Sequence, residues 1–403
     1  MLSYSFFLDL AIILFCAKLF GDIAKKIHLP QVVGVLVAGL LIGPLLFNLV
    51  QESQFIDKMA ELGVIVIMFA AGLETDIKQL KKTGKASIII ALIGILLPLV
   101  GGFLISGLFN QNISSLSQTD ILKNILIGVI LIATSVSITV AVLQEMGKLK
   151  TKVGTAILGA AIIDDIVGII ILTIVISLGD SSVTILGIFI RIILFIIFVG
   201  ICGISAHYIF KKWHGTKTRK RMPIYSFVFC LFLAFMAEKF FGVADITGAY
   251  LAGIIIANIT MSNMKLSEYV ADQVEVTLHM LLAPIFFASI GIKATVGHLD
   301  LHLILFSAAL LATAILTKII GCGLGARIAG FSNKDSLRIG TGMVVRGEVA
   351  LVVADRGVSA GLMGADMLPA IIILVIATSL FSPILLKALY RKEITKKTDT
   401  QIL

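Results

Sequence analysis

Long apolar runs recur along the whole 403-residue chain. Each is roughly 17–25 residues long, about the length that crosses a hydrocarbon layer of about 30 Å as a helix. Hydrophobic residues make up 58% of the chain and charged residues 14%, which leaves too little polar surface for a soluble globule of this size. The sequence therefore predicts an all-α polytopic membrane protein whose helices face membrane lipid, without a separate soluble domain.

The runs predict thirteen transmembrane helices. They cover residues 5–22, 31–49, 59–73, 86–109, 121–144, 153–178, 183–210, 223–241, 245–260, 275–292, 302–327, 336–355 and 367–390. If the spans alternate in direction, the odd-numbered loops and the C-terminal tail carry most of the 33 Lys and Arg residues. By the positive-inside rule, this asymmetry places the N-terminus outside and the C-terminus in the cytoplasm.

The net charge of +9 comes from basic residues that are dispersed among short loops, as the predicted topology requires. They form no basic patch, so no nucleic-acid partner is predicted. The four cysteines lie in apolar segments without metal-ligand or redox spacing. No P-loop, dinucleotide-binding glycine motif or zinc-protease motif is present, so no cofactor is expected.

The two halves of the chain repeat each other weakly. Spans two and nine share a pattern that aligns Gly39 with Gly253, and segment 69–73 in span three then matches segment 287–292 in span ten. The offset of seven spans is odd, so the two copies run through the membrane in opposite directions. This predicts the inverted repeat of secondary transporters, whose sites lie near the midplane where broken helices meet.

Spans five and twelve are poor membrane helices at the same relative place in the two copies. Span five has four hydroxyl residues within 133–139, while span twelve combines glycines with Arg346 and Glu348. The repeat aligns Thr134 with Arg346. Such segments can unwind where they line a cavity, so we predict two interrupted helices that cross near mid-membrane. The alternative is that the hydroxyls bond back to their own helix.

Asp164 and Asp165 stand side by side in span six. An ionisable residue at bilayer depth costs about 2.5–3.5 kcal/mol on insertion scales, so the pair must face water, ions or a partner. Neighbouring helical positions differ by about 100° around the axis, so one carboxylate can meet an ion while the other meets a partner. Lys318, midway through span eleven, is the predicted partner of Asp164. For Arg346 and Glu348, a structural role in the broken span is favoured over ion binding.

A carboxylate that holds either a proton or a monovalent cation makes exchange possible, because one site cannot hold both at once. Oxygen ligands from Thr134, Ser135, Ser137 and unwound backbone carbonyls suit a hard cation. The sequence therefore predicts a secondary antiporter and not an enzyme. An ion channel is disfavoured because no filter-like signature is present. An intramembrane aspartyl protease is disfavoured because its two aspartates should come from different helices.

The chain resembles the monovalent cation:proton antiporter-2 family over essentially all of residues 1–390. This family provides the membrane part of bacterial sodium/proton antiporters and of glutathione-gated potassium efflux systems. The resemblance rests on Lys318 and on residues 29–44, 69–76, 133–139, 163–165, 284–291 and 346–351.

The resemblance implies a homodimer with a dimerisation domain and an elevator-like transport core. Residues 1–85 would form the first part of the dimerisation domain (spans 1–3) and residues 86–180 the first half of the core (spans 4–6). Residues 181–300 would form a linker helix and the second part of the dimerisation domain (spans 7–10). Residues 301–390 would complete the core (spans 11–13), and residues 391–403 would be a cytoplasmic tail.

The resemblance also implies individual roles. Asp165 is similar to the shared ligand of proton and cation, Asp164 to the partner of Lys318, and Thr134 to an additional ligand, so Na⁺ is expected at Asp165 and Thr134. The doubled aspartate is similar to the electrogenic branch, which favours Na⁺ or Li⁺ exchange with net charge movement across the inner (plasma) membrane. A K⁺/H⁺ antiporter or K⁺ efflux protein is the alternative. Thirteen residues follow Tyr390, so the nucleotide-binding regulatory domain of the efflux systems is not expected.

Overall fold

The computed structural model describes residues 5–75, 77–109, 117–179, 185–212, 221–260, 264–293 and 300–401. Within these ranges the chain forms sixteen α-helices, one π-helical turn and one 3₁₀ turn, and no β-strand. The helices are α1 (Ser5–Lys26), α2 (Gln31–Ile42), α3 (Gln54–Glu74), α4 (Ile77–Phe109), α5 (Gln118–Ile132), α6 (Val136–Glu145), α7 (Lys152–Gly179), α8 (Ile185–Lys212), α9 (Met222–Phe241), α10 (Asp245–Thr260), α11 (Met264–Thr277), α12 (Ala283–Ile292), α13 (Leu301–Ile328), α14 (Asn333–Gly342), α15 (Glu348–Ser359) and α16 (Leu368–Gln401). The all-α prediction is confirmed.

Eight helices of the described ranges are long and apolar enough to cross a membrane, and α2 and α10 are shorter apolar helices. A multi-pass membrane architecture is therefore present, while the count of thirteen spans stays a prediction. Span two ends earlier than predicted, at Ile42. The physical reason is Pro44, which disfavours helical backbone at Gly43. The chain then turns back, and the N–H groups of Leu49 and Val50 donate to Ile42 O at 2.8 and 2.9 Å.

Helix pairs α2–α12 and α3–α10 pack closely through glycine. A Cβ added at Gly39 of α2 would overlap the backbone of Ala288 in α12, and one added at Gly253 of α10 would overlap the backbone of Phe69 in α3. Only glycine allows two helix backbones to approach this closely. Both pairs contribute to one large hydrophobic core together with α1.

The two aspartates are positioned by α7 and by the helices that surround it, which differ from the glycine-packed pairs described above. α7, which carries them, packs against α4 and α5, and α4 lies along α13. α14 contacts α7, α13 and α16. Both predicted interruptions are present: α5 ends at Ile132 and α6 begins at Val136, while α14 ends at Gly342 and α15 begins at Glu348. These breaks bring non-helical backbone into the buried interior beside α7.

Candidate functional site

Asp164 is locked in a buried network. Lys318 Nζ lies 2.6 Å from Asp164 Oδ2, and both side chains are fully buried. The Thr134 hydroxyl donates to the same oxygen at 2.6 Å. Among the described residues, Asp164 Oδ1 has no hydrogen-bond partner. The predicted contact between Lys318 and Asp164 is therefore present in the structure, and its role in ion exchange stays a prediction.

Asp165 faces a small cavity of about 40 Å³. A site needs roughly 10–15 Å³ to hold one water molecule, so this cavity has room for a small ion or water. Asp164 also reaches the cavity, but its Oδ2 is committed to Lys318 and Thr134. The other lining residues are Val129, Ala133, Gly168, Leu172, Ala244, Val349 and Val353. The two neighbouring carboxylates thus have different surroundings, as the 100° helical offset predicts.

The first break, residues 133–135, places the predicted hydroxyl ligands in the interior. Thr134, Ser135 and Ser137 are all buried. Thr134 also approaches Ile132 O at 3.2 Å, and the hydroxyls of Ser135 and Ser137 lie 3.2 Å apart. The alternative in which these hydroxyls bond only to their own helix does not hold for Thr134, which bonds to Asp164 in α7.

The second break, residues 343–347, meets the first. Ser135 N–H donates to Val345 O at 2.8 Å, and a Cβ at Gly347 would overlap the Ser135 side chain. Arg346 is fully buried, and its Nη1 donates to Met343 O at 3.2 Å. Its Nε and Nη2 have no hydrogen-bond partner in the described part of the chain. The side chain of Glu348 lies outside the described residues, so its structural role in the broken span stays a prediction.

The carbonyls around the second break are engaged by donors of the protein itself. Buried carbonyls are almost always paired, and here the pairing is provided by side chains where the helix is interrupted. Ser382 Oγ donates to Thr341 O at 2.7 Å, and Thr139 Oγ1 donates to Gly342 O at 2.7 Å. Ser379 Oγ donates to Arg346 O at 3.1 Å. Each of these carbonyls therefore accepts one hydrogen bond from a protein side chain, and the contribution of unwound carbonyls to an ion site stays a prediction.

The hydroxyls of α16 were not among the site residues predicted from the sequence. Thr378, Ser379 and Ser382 are buried and contact the second break or the residues just before it. A signal was available, because three hydroxyl residues stand within five positions of an otherwise apolar span.

Buried charges at two crossed helix breaks are typical of secondary transporters. A sequence profile of the family described as sodium/hydrogen exchanger, transmembrane, matches residues 11–392. The chain belongs to this family. The resemblance to monovalent cation:proton antiporters is thereby confirmed at the family level.

Individual relatives match over nearly the whole chain. The chain is 38% identical over 390 residues to the Na(+)/H(+)-K(+) antiporter GerN of Bacillus cereus, and this alignment covers 96% of each protein. It is 32% identical over 388 residues to a Na(+)/H(+) antiporter of Enterococcus hirae, which covers 95% of this chain and 97% of the relative. The sodium proton antiporter MjNhaP1 from Methanocaldococcus jannaschii is similar in structure, with a TM-score of 0.72, 18% identity and 96% coverage of each chain. This last comparison shows the same fold.

Proposed function

We propose that this protein is a secondary antiporter that exchanges protons for a monovalent cation, with Na⁺ as the preferred ion. The observation that carries this function is the unequal environment of the two aspartates. Asp164 is neutralised by Lys318 and held by Thr134, whereas Asp165 faces a cavity of about 40 Å³. A second, adjacent carboxylate at a cavity can bind a proton or a cation in turn. The protein is a transporter and not an enzyme.

Asp165 and Thr134 are the proposed Na⁺ ligands. A hydroxyl has one proton and two acceptor lone pairs. Thr134 uses its proton for Asp164 Oδ2, which leaves the lone pairs for a cation. Ser135 and Ser137 supply further oxygen atoms in the same break. Oxygen ligands of this kind suit a hard cation better than nitrogen or sulfur would.

K⁺ is the second candidate cation. It is favoured by the similarity to GerN, whose name includes both Na⁺ and K⁺. Na⁺ stays first because the relative from Enterococcus hirae is named as a Na(+)/H(+) antiporter. We infer that exchange is electrogenic, with more than one proton moved per cation.

The proposed architecture is a homodimer of thirteen-helix subunits built on an inverted repeat. Support for the repeat comes from equivalent contacts: Gly39 packs on Ala288, and its counterpart Gly253 packs on Phe69. Residues 1–85 and 181–300 would form the dimerisation domain and linker. Residues 86–180 and 301–390 would form a core that moves like an elevator, with residues 391–403 as a cytoplasmic tail.

The proposed location is the inner (plasma) membrane, with the N-terminus outside. In this orientation a cavity of about 1180 Å³ lies on the cytoplasmic side, between α1, α2, α3, α6 and α11. Its lining contains more acidic than basic side chains, and a cleft lined by negative charge raises the local concentration of cations. The acidic residues are Asp22, Glu74, Glu145, Glu268, Asp272 and Glu275.

The test is exchange in proteoliposomes that contain an internal pH dye, with Na⁺, Li⁺ or K⁺ added at several pH values. We expect Na⁺ or Li⁺ to drive proton movement and Asp165→Asn to abolish it. Asp300→Asn is the matched control, because Asp300 caps α13 by accepting from Leu303 N–H at 2.8 Å and asparagine caps equally well. Normal exchange by folded Asp165→Asn protein would refute the site. If none of the three cations causes proton movement when it is added, antiport is refuted. An imposed membrane potential that leaves rate and end-point unchanged would contradict electrogenicity.

A further inference from the structure

Two hydroxyls of α16 hold the backbone of Arg346 from both sides. Arg346 N–H donates to Thr378 Oγ1 at 3.0 Å, and Ser379 Oγ donates to Arg346 O at 3.1 Å. Thr378 in turn donates its own proton to Leu374 O at 2.8 Å, so its oxygen is oriented to accept. Thr378, Ser379 and Arg346 are all fully buried. Water therefore offers no replacement for these hydrogen bonds.

In the proposed repeat, the hydroxyls of α16 stand at the positions that correspond to the aspartate pair of α7. Arg346 follows Thr134 by 212 positions, and Thr378 follows Asp164 by 214. Thr134 contacts Asp164 through its hydroxyl, and Arg346 contacts Thr378 through its backbone N–H. The two helices that flank the breaks thus present equivalent positions to them. α7 presents carboxylates, whereas α16 presents neutral hydroxyls, which hold the break without adding a second cation ligand of high charge.

Arg346 links this contact to the exchange site. Its two chain neighbours contact the first break: Val345 O accepts from Ser135 N–H at 2.8 Å, and Gly347 packs on the Ser135 side chain. Thr134, the residue before Ser135, donates to Asp164 Oδ2 at 2.6 Å. The Nη1 of Arg346 donates to Met343 O at 3.2 Å within the same break as Arg346 itself, so the guanidinium is attached to the backbone of that break. A shift of the Arg346 backbone would therefore move a buried positive charge relative to the aspartates.

We propose that Thr378 and Ser379 are positioning residues for ion exchange. They fix the backbone of Arg346, and the resulting position of its charge sets how strongly Asp165 binds cations and protons. This inference rests on the proposed function of Asp165 as the exchange site. It extends that function to a helix that contributes no charged group to the site.

The test compares Thr378→Val with Thr378→Ser. Valine has nearly the same shape as threonine but cannot accept, so Arg346 N–H is left buried without a partner. We expect the KM for Na⁺ to rise about tenfold and the pH profile of exchange to move, whereas Thr378→Ser keeps the acceptor and stays within about twofold of the unmodified protein. Ser379→Ala removes only the donor to Arg346 O, and we expect a smaller rise of about threefold.

Each result has a distinct meaning. A purely structural role would lower the amount of folded protein but leave KM and the pH profile of the folded fraction unchanged, and this result overturns the inference. It is also overturned if Thr378→Ser is as impaired as Thr378→Val. If Thr378→Val does not fold, Ser379→Ala decides the question, and an unchanged KM there is contrary to it. Failure of the unmodified protein to exchange would instead overturn the proposed function itself.

Discussion

Replacement of Lys318 by methionine tests the buried ion pair. Methionine keeps an apolar stem of similar length but removes the ammonium group that lies 2.6 Å from Asp164 Oδ2. Thr134 then remains as the donor to that oxygen. Removal of one partner from a buried ion pair costs about 3–5 kcal/mol, because the other charge is left uncompensated. We expect Lys318→Met to be destabilised by this amount at pH 8.

Proton uptake limits this cost at lower pH. Protonation of an aspartate in water costs about 1.4 kcal/mol for each pH unit above its reference pKa of about 3.9. The limit is about 5.6 kcal/mol at pH 8, which lies above the range for the broken pair, but only about 1.5 kcal/mol at pH 5. The variant can always fold with a neutral carboxyl at this site. Its destabilisation should therefore shrink by about half or more between pH 8 and pH 5.

The assay is a double-mutant cycle followed by unfolding in detergent at both pH values. The variants are Lys318→Met, Asp164→Asn and the combination, in which asparagine keeps an oxygen that accepts from Thr134. We expect the double variant to be more stable than Lys318→Met at pH 8, because no buried charge is left alone. An equal loss at pH 5 and pH 8, or a double variant no more stable than Lys318→Met, would refute the reasoning. In proteoliposomes, Lys318→Met should impair exchange or shift its pH dependence.

Two further predictions concern helix packing and the ion pair between Glu145 and Lys387. Gly102→Ala should lower the melting temperature and cost about 1–3 kcal/mol, because its Cβ would overlap backbone of α5, whereas Gly200→Ala, with nothing within 4 Å, should be neutral or slightly stabilising; equal melting temperatures of the two would contradict the close contact. Glu145→Gln loses its 3.3 Å ion pair with Lys387 but keeps an acceptor for Gln31 N–H, so we expect a loss of under about 1 kcal/mol and a larger loss for Glu145→Ala. Thermal unfolding of both Glu145 variants measures the difference, and equal losses would mean that the Gln31 contact is not important.

The sequence could predict the helix breaks and the Lys318–Asp164 contact for one physical reason. Charged and strongly polar residues are expensive in apolar spans, so the few that occur must meet one another or water. Only a handful of partners were available for Asp164. The end of span two was harder to predict, because Gly43 and Pro44 stand within a run that is otherwise apolar up to Phe47.

The hydroxyls of α16 were not predicted because their contacts depend on the geometry of another helix. Serine and threonine in membrane helices commonly bond back to the preceding turn, and such residues carry no cost that demands a distant partner. Thr378 indeed bonds back to Leu374 O. Its second contact, with Arg346 N–H, exists only because the helix of span twelve is interrupted beside it.

Thr134 and Thr378 show why residue type alone does not assign a role at the crossed breaks. Thr134 donates to a carboxylate, whereas Thr378 accepts from a backbone N–H. A hydroxyl can do either, so the partner decides the direction of the hydrogen bond. At the second break the donors and acceptors of α16 satisfy backbone groups. At the first break the donated proton leaves oxygen lone pairs beside the aspartates, and this difference is why we expect cation binding there and positioning at the second break.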